Sequence, residues 1–484
     1  MKAWGISAAA LALACAAGCR TVKEVMDDYE VAITTGDYAK PIAETSELAG
    51  ESGDTQLLWQ LLAGSAMYMA DDKAGARQMF DAAEASFARN DTTSVFAQGA
   101  EGAFAMMTND RVFSYDGGGQ DRIFTCLYKS IDMMASGDVA GARVELNRAS
   151  RYQANWLYDR RRDVDAAARK MEADANAYAK REKAASQGNR SQHVAAAMRD
   201  SSFGASIRAK CNFDPATSGD LSILAPKDYM NVYATHLTGV FRWLNGDGDM
   251  NHLRDAAALA PGCAVAVRDY QEQARGGRPS NQVWIYVEDG LCPCREEWRL
   301  DLPLVLIPYL NRYIMYAGMA LPYLRYRTQG AISWSVQTPV GIVQMEQLAN
   351  VDALMKTEYD VYMRGALARE ITRVIVKASV QVALGVTAEN VSDDYTRIAL
   401  QASQIGAAAW AASVTAADMR SWTALPKTVK VARVDRPDNG HLEVVADAQR
   451  IQLDIPAGNA IVFIRKPGPS AMPVVKVATF RSVR

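Results

Sequence analysis

Ser136-Gly137-Asp138-Val139-Ala140-Gly141-Ala142-Arg143-Val144-Glu145-Leu146-Asn147-Arg148-Ala149 is the stretch that decides the fold. A Ser-Gly-Asp turn opens it, and Ala142, Leu146 and Ala149 then fall on one face of a helix. Ala76, Phe80 and Ala83 repeat that spacing 66 residues earlier, behind the turn Ala70-Asp71-Asp72 and the preceding Gly64. A small residue where two helices cross, with large apolar residues a turn further on, is what a packed helix pair requires. The same spacing returns weakly in Tyr233–Pro261, where Leu253, Ala256 and Pro261 match and Asp249 replaces the small residue. Thr35-Gly36-Asp37-Tyr38 suggests an earlier unit, and a degenerate pair around Val95–Met107 fills the middle.

An offset of 66 residues is close to twice the ~34-residue period of tetratricopeptide repeats. Residues 19–275 are therefore expected to form a tetratricopeptide-like α-solenoid, with a long helix near 141–185. That helix has an apolar stripe at Val164, Ala167/Ala168, Met171, Ala175 and Tyr178. Its other face carries Arg160, Arg161, Arg162, Arg169, Lys170, Lys180, Arg181 and Lys183. Interleaved Asp163, Asp165, Glu172, Asp174 and Glu182 favour a solvated face over contact with anionic lipid or a polyanion. Residues 186–205, rich in Ser, Gln, Asn and Gly, read as a loop.

The pattern changes at Arg275-Gly276-Gly277-Arg278-Pro279. Strands are expected over 282–287, 297–302, 332–336, 341–345, 428–434, 442–446, 451–455, 459–465 and 473–480, with helices over 350–384 and 393–418. Asp438-Asn439-Gly440 and Pro456-Ala457-Gly458-Asn459 read as hairpin-type turns. Residues 302–326, broken by Pro303, Pro308, Arg312 and Pro322, read as buried core and connecting loop. The expected class is α+β: the helical domain, then a C-terminal α+β domain over 276–484 with a mostly antiparallel sheet or small sandwich.

Composition sets limits. Lys plus Arg is 53 and Asp plus Glu is 55, a net charge of -2 that argues against a nucleic-acid binder driven by bulk charge. Hydrophobic residues at 49% suffice for a sizeable core, and only four His weaken any multi-His metal site. Met1–Cys19 (MKAWGISAAALALACAAGC) has a positive Lys2, a short apolar run and Ala16-Ala17-Gly18-Cys19. Those four residues resemble a bacterial lipobox. The resemblance implies a signal peptide over 1–18, a covalent lipid on Cys19 and, because Arg20 rather than Asp follows, sorting to the outer membrane with the body facing the periplasm. The remaining Cys126, Cys211, Cys263, Cys292 and Cys294 are odd in number. Cys292-Pro293-Cys294 has no second pair with which to build a zinc site and reads as two small buried residues. A Cys211–Cys263 disulfide is one possible pairing among several.

Three segments carry a wider resemblance: Gly137-Asp138 with Ala142–Ala149, Val287-Glu288-Asp289-Gly290-Leu291 with Arg299-Leu300-Asp301-Leu302-Pro303, and Ala417-Asp418-Met419-Arg420-Ser421-Trp422-Thr423-Ala424-Leu425-Pro426. In the same order, they are similar to a family of large, poorly characterised bacterial envelope lipoproteins with tetratricopeptide-like helices. The resemblance implies an outer-membrane lipoprotein and carries over no catalytic residue. Cys292-Pro293-Cys294 departs from the apolar residue or Ala common after the family's Gly-Leu.

Candidate chemistry is sparse. His236 reads as a packing residue on a repeat helix, and His193 and His441 as loop or turn residues. Asn245-Gly246-Asp247-Gly248-Asp249, beside His252, starts like a calcium loop but has Met250 and Ala256 where Gly and Glu are needed. Asp116-Gly117-Gly118-Gly119-Gln120 lacks the Lys of a phosphate loop. Neighbouring Glu288 and Asp289 point to opposite faces of a strand and need not share a site. Glu288, Asp289, Gly290 and Trp422 are the partner-binding or structural candidates, Trp422 as an aromatic pinning helix to sheet. The expectation is a non-enzymatic envelope adaptor that binds a protein or peptide, with no cofactor or metal. A peptidoglycan- or glycan-acting enzyme and a structural lipoprotein of a secretion or appendage assembly are the alternatives.

Overall fold

The computed structural model describes residues 20–96, 109–112, 114–155, 201–213, 229–301 and 314–480. Cys19, His193, the signal segment, 97–107 of the expected middle repeat and 156–200 of the long helix and its loop lie outside them. So does the 302–313 stretch.

The chain is α+β. Helices α1 (Val22–Thr35), α2 (Ala39–Gly50), α3 (Gln56–Met69) and α4 (Lys73–Phe96) come first. After the 3₁₀ turn Asp110–Val112 come α5 (Gly119–Ala135) and α6, helical over 139–155. Then follow α7 (Ser201–Cys211), α8 (Val232–Leu244), α9 (Asn251–Leu259) and α10 (Ala264–Ala274). Thr21 starts α1 with a capping box: its Oγ1 accepts from Glu24 N, and its own N–H donates to Glu24 Oε2 at 2.7 Å.

Four interhelix turns share one geometry. Gly36, Asp71, Gly137 and Gly246 take positive φ (86°, 58°, 79° and 78°). The N–H of the Asp that follows each bonds back to the ending helix: Asp37 to Ala32 O, Asp72 to Met67 O, Asp138 to Met133 O and Asp247 to Arg242 O, at 2.8–2.9 Å. Two of these Asp residues also cap the next helix, Asp72 at Gly75 N (3.0 Å) and Asp138 at Gly141 N (2.8 Å). At the α3–α4 crossing the small residue Gly64 sits where the sequence places it, and in the α8–α9 pair Gly239, not expected from the sequence, takes the close approach. A Cβ on Gly64 would stand 2.7 Å from Phe80 Cε1, and one on Gly239 2.6 Å from Leu253 Cδ2.

The second half contributes β1 (Gln282–Asp289), β2 (Cys294–Asp301), β3 (Gly318–Arg325), β4 (Trp334–Thr338), β5 (Gly341–Gln344) and β6 (Glu346–Asn350). The helices α11 (Val351–Asn390) and α12 (Asp394–Ser413) follow. The last strands are β7 (Thr428–Asp435), β8 (His441–Ala446), β9 (Gln449–Asp454), β10 (Asn459–Lys466) and β11 (Val474–Phe480). A five-stranded sheet has the order β11-β10-β1-β7-β6, and a four-stranded sheet β5-β4-β8-β9; β2 pairs with β3. Every pair is antiparallel except β1 with β10.

The five-stranded sheet is the middle layer. Val283, Ile285, Val287, Ala432, Val434, Val462 and Ile464 pack against Trp334, Val336, Leu442 and Val444 of the four-stranded sheet. On the other face Trp284, Tyr286, Val429, Val431, Ile461, Phe463 and Phe480 belong to the same cluster as Leu61, Phe80, Phe124, Leu146, Phe241 and Leu253 of the helices. The core is thus continuous across residue 275. Strand alternation explains this division, since β1 sends odd residues to the sandwich and even ones to the helices.

Several expectations need correction. Residues 201–205 are helical in α7, because Ile207 and Cys211 bury against the cluster of Tyr359 and Met363. Residues 318–325, expected as core and loop, form β3; Pro322 is tolerated because β3 has a strand partner on one side only. Strand β6 was not expected. The turns at Gly440 and Gly458 do not close hairpins, since they link β7 to β8 and β9 to β10 across different sheets. Helix α11 runs to Asn390, and α12 stops at Ser413. Beyond it Thr415 O accepts from Arg299 and Ala417 N donates to Glu297 Oε2 at 2.8 Å.

Candidate functional site

Glu288, Gly290 and Trp422 meet at the helix–sheet junction. The even register of β1 turns Glu288 toward the helices, where it is 2% exposed. Tyr233 on α8 donates to its Oε1 at 3.0 Å, and Oε2 has no hydrogen-bond partner, with Arg465 Nε 3.8 Å away. Burial pushes this carboxyl up, against the pull of Arg465. Arg465 Nη1 donates to Glu288 O (3.1 Å) and Gly290 O (2.7 Å), and its Nη2 to Ala424 O (2.8 Å). Arg327 Nε donates to Cys292 O at 2.6 Å, and Cys292 N donates to Leu425 O at 2.8 Å. Two buried arginines therefore tie the turn after β1 to the segment before β7. Gly290 takes φ +68° there, and a Cβ would stand 3.1 Å from Thr328 O.

Trp422 is fully buried. Its Nε1 donates to Ser65 Oγ on α3 at 2.8 Å, and its ring lies 6.0 Å from both Phe80 and Tyr128. It pins helices to the C-terminal half. Asp289 points to the opposite face. Its Oδ1 accepts from Ala331 N at 3.0 Å, and burial raises its pKa. The two neighbouring carboxylates do not share a site. Glu296 lies apart on β2, paired with Arg325 Nε at 2.5 Å.

His236 is buried in a second polar knot. Its Nδ1 is 2.8 Å from Tyr286 Oη and its Nε2 is 3.1 Å from Asp269 Oδ2. Asp269 also accepts from Trp284 Nε1 (2.7 Å) and Arg433 Nη1 (2.9 Å), and Arg433 lies over the rings of Trp284 and Trp243 at 4.7 and 5.3 Å. The Asn245–Asp249 run is the turn between α8 and α9, with Asp249 paired to Arg242 and His252. His441 is exposed beside Asp454. Gly118 N donates to Asp121 Oδ2 at 2.8 Å, so the glycine run starts α5. All five described cysteines are buried free thiols, and Cys211 and Cys263 belong to separate clusters.

Sequence reasoning missed three charged groups. Asp110 accepts from Arg369 and Arg373 of α11. Burial opposes its ionisation, but the two guanidiniums hold its carboxyl well below the usual range. Lys129 on α5 reaches Asp81 (2.7 Å), Glu84 (2.9 Å) and Glu145 (3.0 Å). Glu84, Cys126 and Glu145 bring ligand atoms within 4.8 Å of one another, and the two carboxylates are paired with both Lys129 and Arg148. The third is a cleft of ≈ 380 Å³ lined by Arg268, Glu272, Arg278, Ser280, Gln282 and Arg433, open to solvent between α10 and the start of β1. The cues were the isolated charges inside apolar runs, such as Arg465 in Ala460–Arg465 and Lys129 in α5. Their partners are remote in sequence.

The arrangement at the junction orders backbone and packs aromatics; its carboxylates are enclosed. The open cleft presents guanidinium groups suited to carboxylate or backbone carbonyl oxygens. No family model, no curated protein and no solved structure matches the chain.

Proposed function

We propose that the chain is an outer-membrane-anchored lipoprotein acting as a non-enzymatic adaptor for a protein or peptide partner in the cell envelope. One observation carries the reading. The lipobox-like Ala16-Ala17-Gly18-Cys19 is followed by a folded body that begins at Thr21, the N-cap of α1. Only Arg20 separates Cys19 from Thr21, a reach of at most about 7 Å, so an acyl group on Cys19 would hold the body against the membrane surface. The repeated turn geometry of α1–α2, α3–α4, α5–α6 and α8–α9, with a glycine at the α3–α4 and α8–α9 crossings, supports a tetratricopeptide-like origin for the helices. Their apolar side is covered by the five-stranded sheet, which leaves outward surfaces for the partner. The cleft at Arg268 and Arg278 is the contact we assign to it, these two exposed guanidiniums receiving acidic side chains or a peptide carboxylate, while the buried Arg433 at its floor stays paired with Asp269 and Glu272.

The test is crosslinking and affinity purification from native envelopes, comparing wild type, Cys19→Ser and Arg278→Glu. A stoichiometric protein recovered with wild type and lost with both variants supports the adaptor. No such partner in any sample overturns it.

A further inference from the structure

We propose that the outward face of α12 is a membrane-contacting surface that lies in the headgroup–acyl boundary of a lipid bilayer. The inference goes beyond the adaptor reading and does not rest on lipidation of Cys19.

Helix α12 buries Gln404, Ala408 and Ala411 against α11. Its other side exposes Tyr395 (88%), Ile398 (62%), Ile405 (57%) and Trp410 (38%). Ala399, Ala402, Gly406 and Ala409, also exposed, fill the gaps between them. At ~100° per residue these eight positions fall within an arc of about 140°. No charged side chain interrupts it. From Tyr395 to Ala417 the only charged residue is Arg397, at the flank and paired with Asp394 in the first turn. A helix that faces water on one side normally carries Lys and Glu there, and a contiguous apolar stripe of this kind marks an interaction surface.

Charge, shape and area choose the occupant. A second copy paired through a single helix face with four large side chains falls short of the ~1,200–2,000 Å² that stable interfaces bury. The face is one convex helix rather than a groove, which suits a deformable apolar phase. Tyr395 and Trp410 stand near the two ends, where amphipathic aromatics sit at headgroup depth. Helix α11 behind it is long and apolar enough to cross a membrane by length and composition. In the structure 62% of that apolar window is buried in the protein, so the hairpin supports α12 from within the fold. With no cluster of Lys or Arg, attraction to anionic lipid contributes little and binding is insensitive to salt.

Vesicle flotation tests this, using the full chain with Cys19→Ser to remove the acyl group. The probes are phosphatidylcholine vesicles and phosphatidylethanolamine–phosphatidylglycerol vesicles, each at low and high salt. The chain is expected to float with both, and adding I398E/I405E is expected to cut the bound fraction about tenfold with an unchanged circular dichroism spectrum. Equal flotation with and without the pair overturns the proposal, as does a parent that fails to float. A dimer in vesicle-free sedimentation that the pair dissociates, without flotation, assigns the face to a second copy and also overturns it. Should the double variant misfold, an environment-sensitive dye on Ile405→Cys gives the same decision. A blue shift on adding vesicles is expected, and no shift contradicts the account.

Discussion

Trp422→Ala should destabilise the whole chain and not only its C-terminal half. The indole is fully buried between Phe80 of α4 and Tyr128 of α5, and its Nε1 donates to Ser65 Oγ of α3. Truncating a buried Trp costs about 3–5 kcal/mol through lost transfer energy and the cavity left behind. Ser65 Oγ keeps its own bond to Leu61 O at 2.9 Å, so the orphan penalty is small. Trp422→Phe should therefore lose only about 1–2 kcal/mol, part of it the hydrogen bond. A double-mutant cycle with Ser65→Ala isolates that bond, with an expected coupling of about 0.5–1.5 kcal/mol. The assay is urea unfolding followed by far-UV ellipticity, which reports the helices, and by fluorescence of the remaining tryptophans. Because one apolar cluster joins the helices to the five-stranded sheet, both signals should move together to lower urea. Two separated transitions of which one is unmoved, or a loss below about 1 kcal/mol, would refute the shared-core reasoning.

Gly64→Val should cost about 1–3 kcal/mol in the same assay, because its Cβ meets Phe80, whose ring is hemmed in by Tyr128 and Trp422. An unchanged urea midpoint would contradict the crossing. Burial pushes Lys377 down to about 8 from an ordinary 10.5, so the unfolded chain binds this proton more tightly between those values. Wild-type stability should accordingly rise from pH 8 to 10.5 relative to Lys377→Met, by about 1–3 kcal/mol, and parallel pH profiles would count against it. Burial lifts the thiols of Cys211 and Cys292 to about 12 and Cys263 to about 11, and raises Cys126 and Cys294 as well. Maleimide at pH 8 should leave these five unmodified in the native protein and label all five in urea; rapid native labelling would show the burial to be wrong.

How much was legible follows from which forces are local. The repeated Ala–Leu/Phe–Ala spacing and the Gly-Asp turns located the helix pairs, because helix crossing and left-handed turn geometry act within about 20 residues. Alternating strands such as Gln282–Val287 and the terminal β region were equally plain, and they placed Glu288 and Asp289 on opposite faces. Strand β3 was hidden because Met319–Leu321 and Pro322 show no alternation, and only pairing with β2 makes them a strand. The site was half visible. Trp422 and the Glu288–Gly290 turn were found from residue type, whereas Arg465, Arg327 and Asp110 were not. Their partners are backbone carbonyls or side chains brought near by folding, as with Asp110 and Arg373, 263 residues apart. The helices also rest on the sheet instead of standing free, since sheet pairing between remote strands leaves no mark in the helical sequence.

The most direct test of the account is the mass of the mature N-terminus of the chain isolated from membranes. An N-terminal Cys19 carrying a diacylglyceryl group, with residues 1–18 removed, is the predicted result. A chain cut elsewhere, or one that begins at an unmodified residue, would contradict the anchored adaptor.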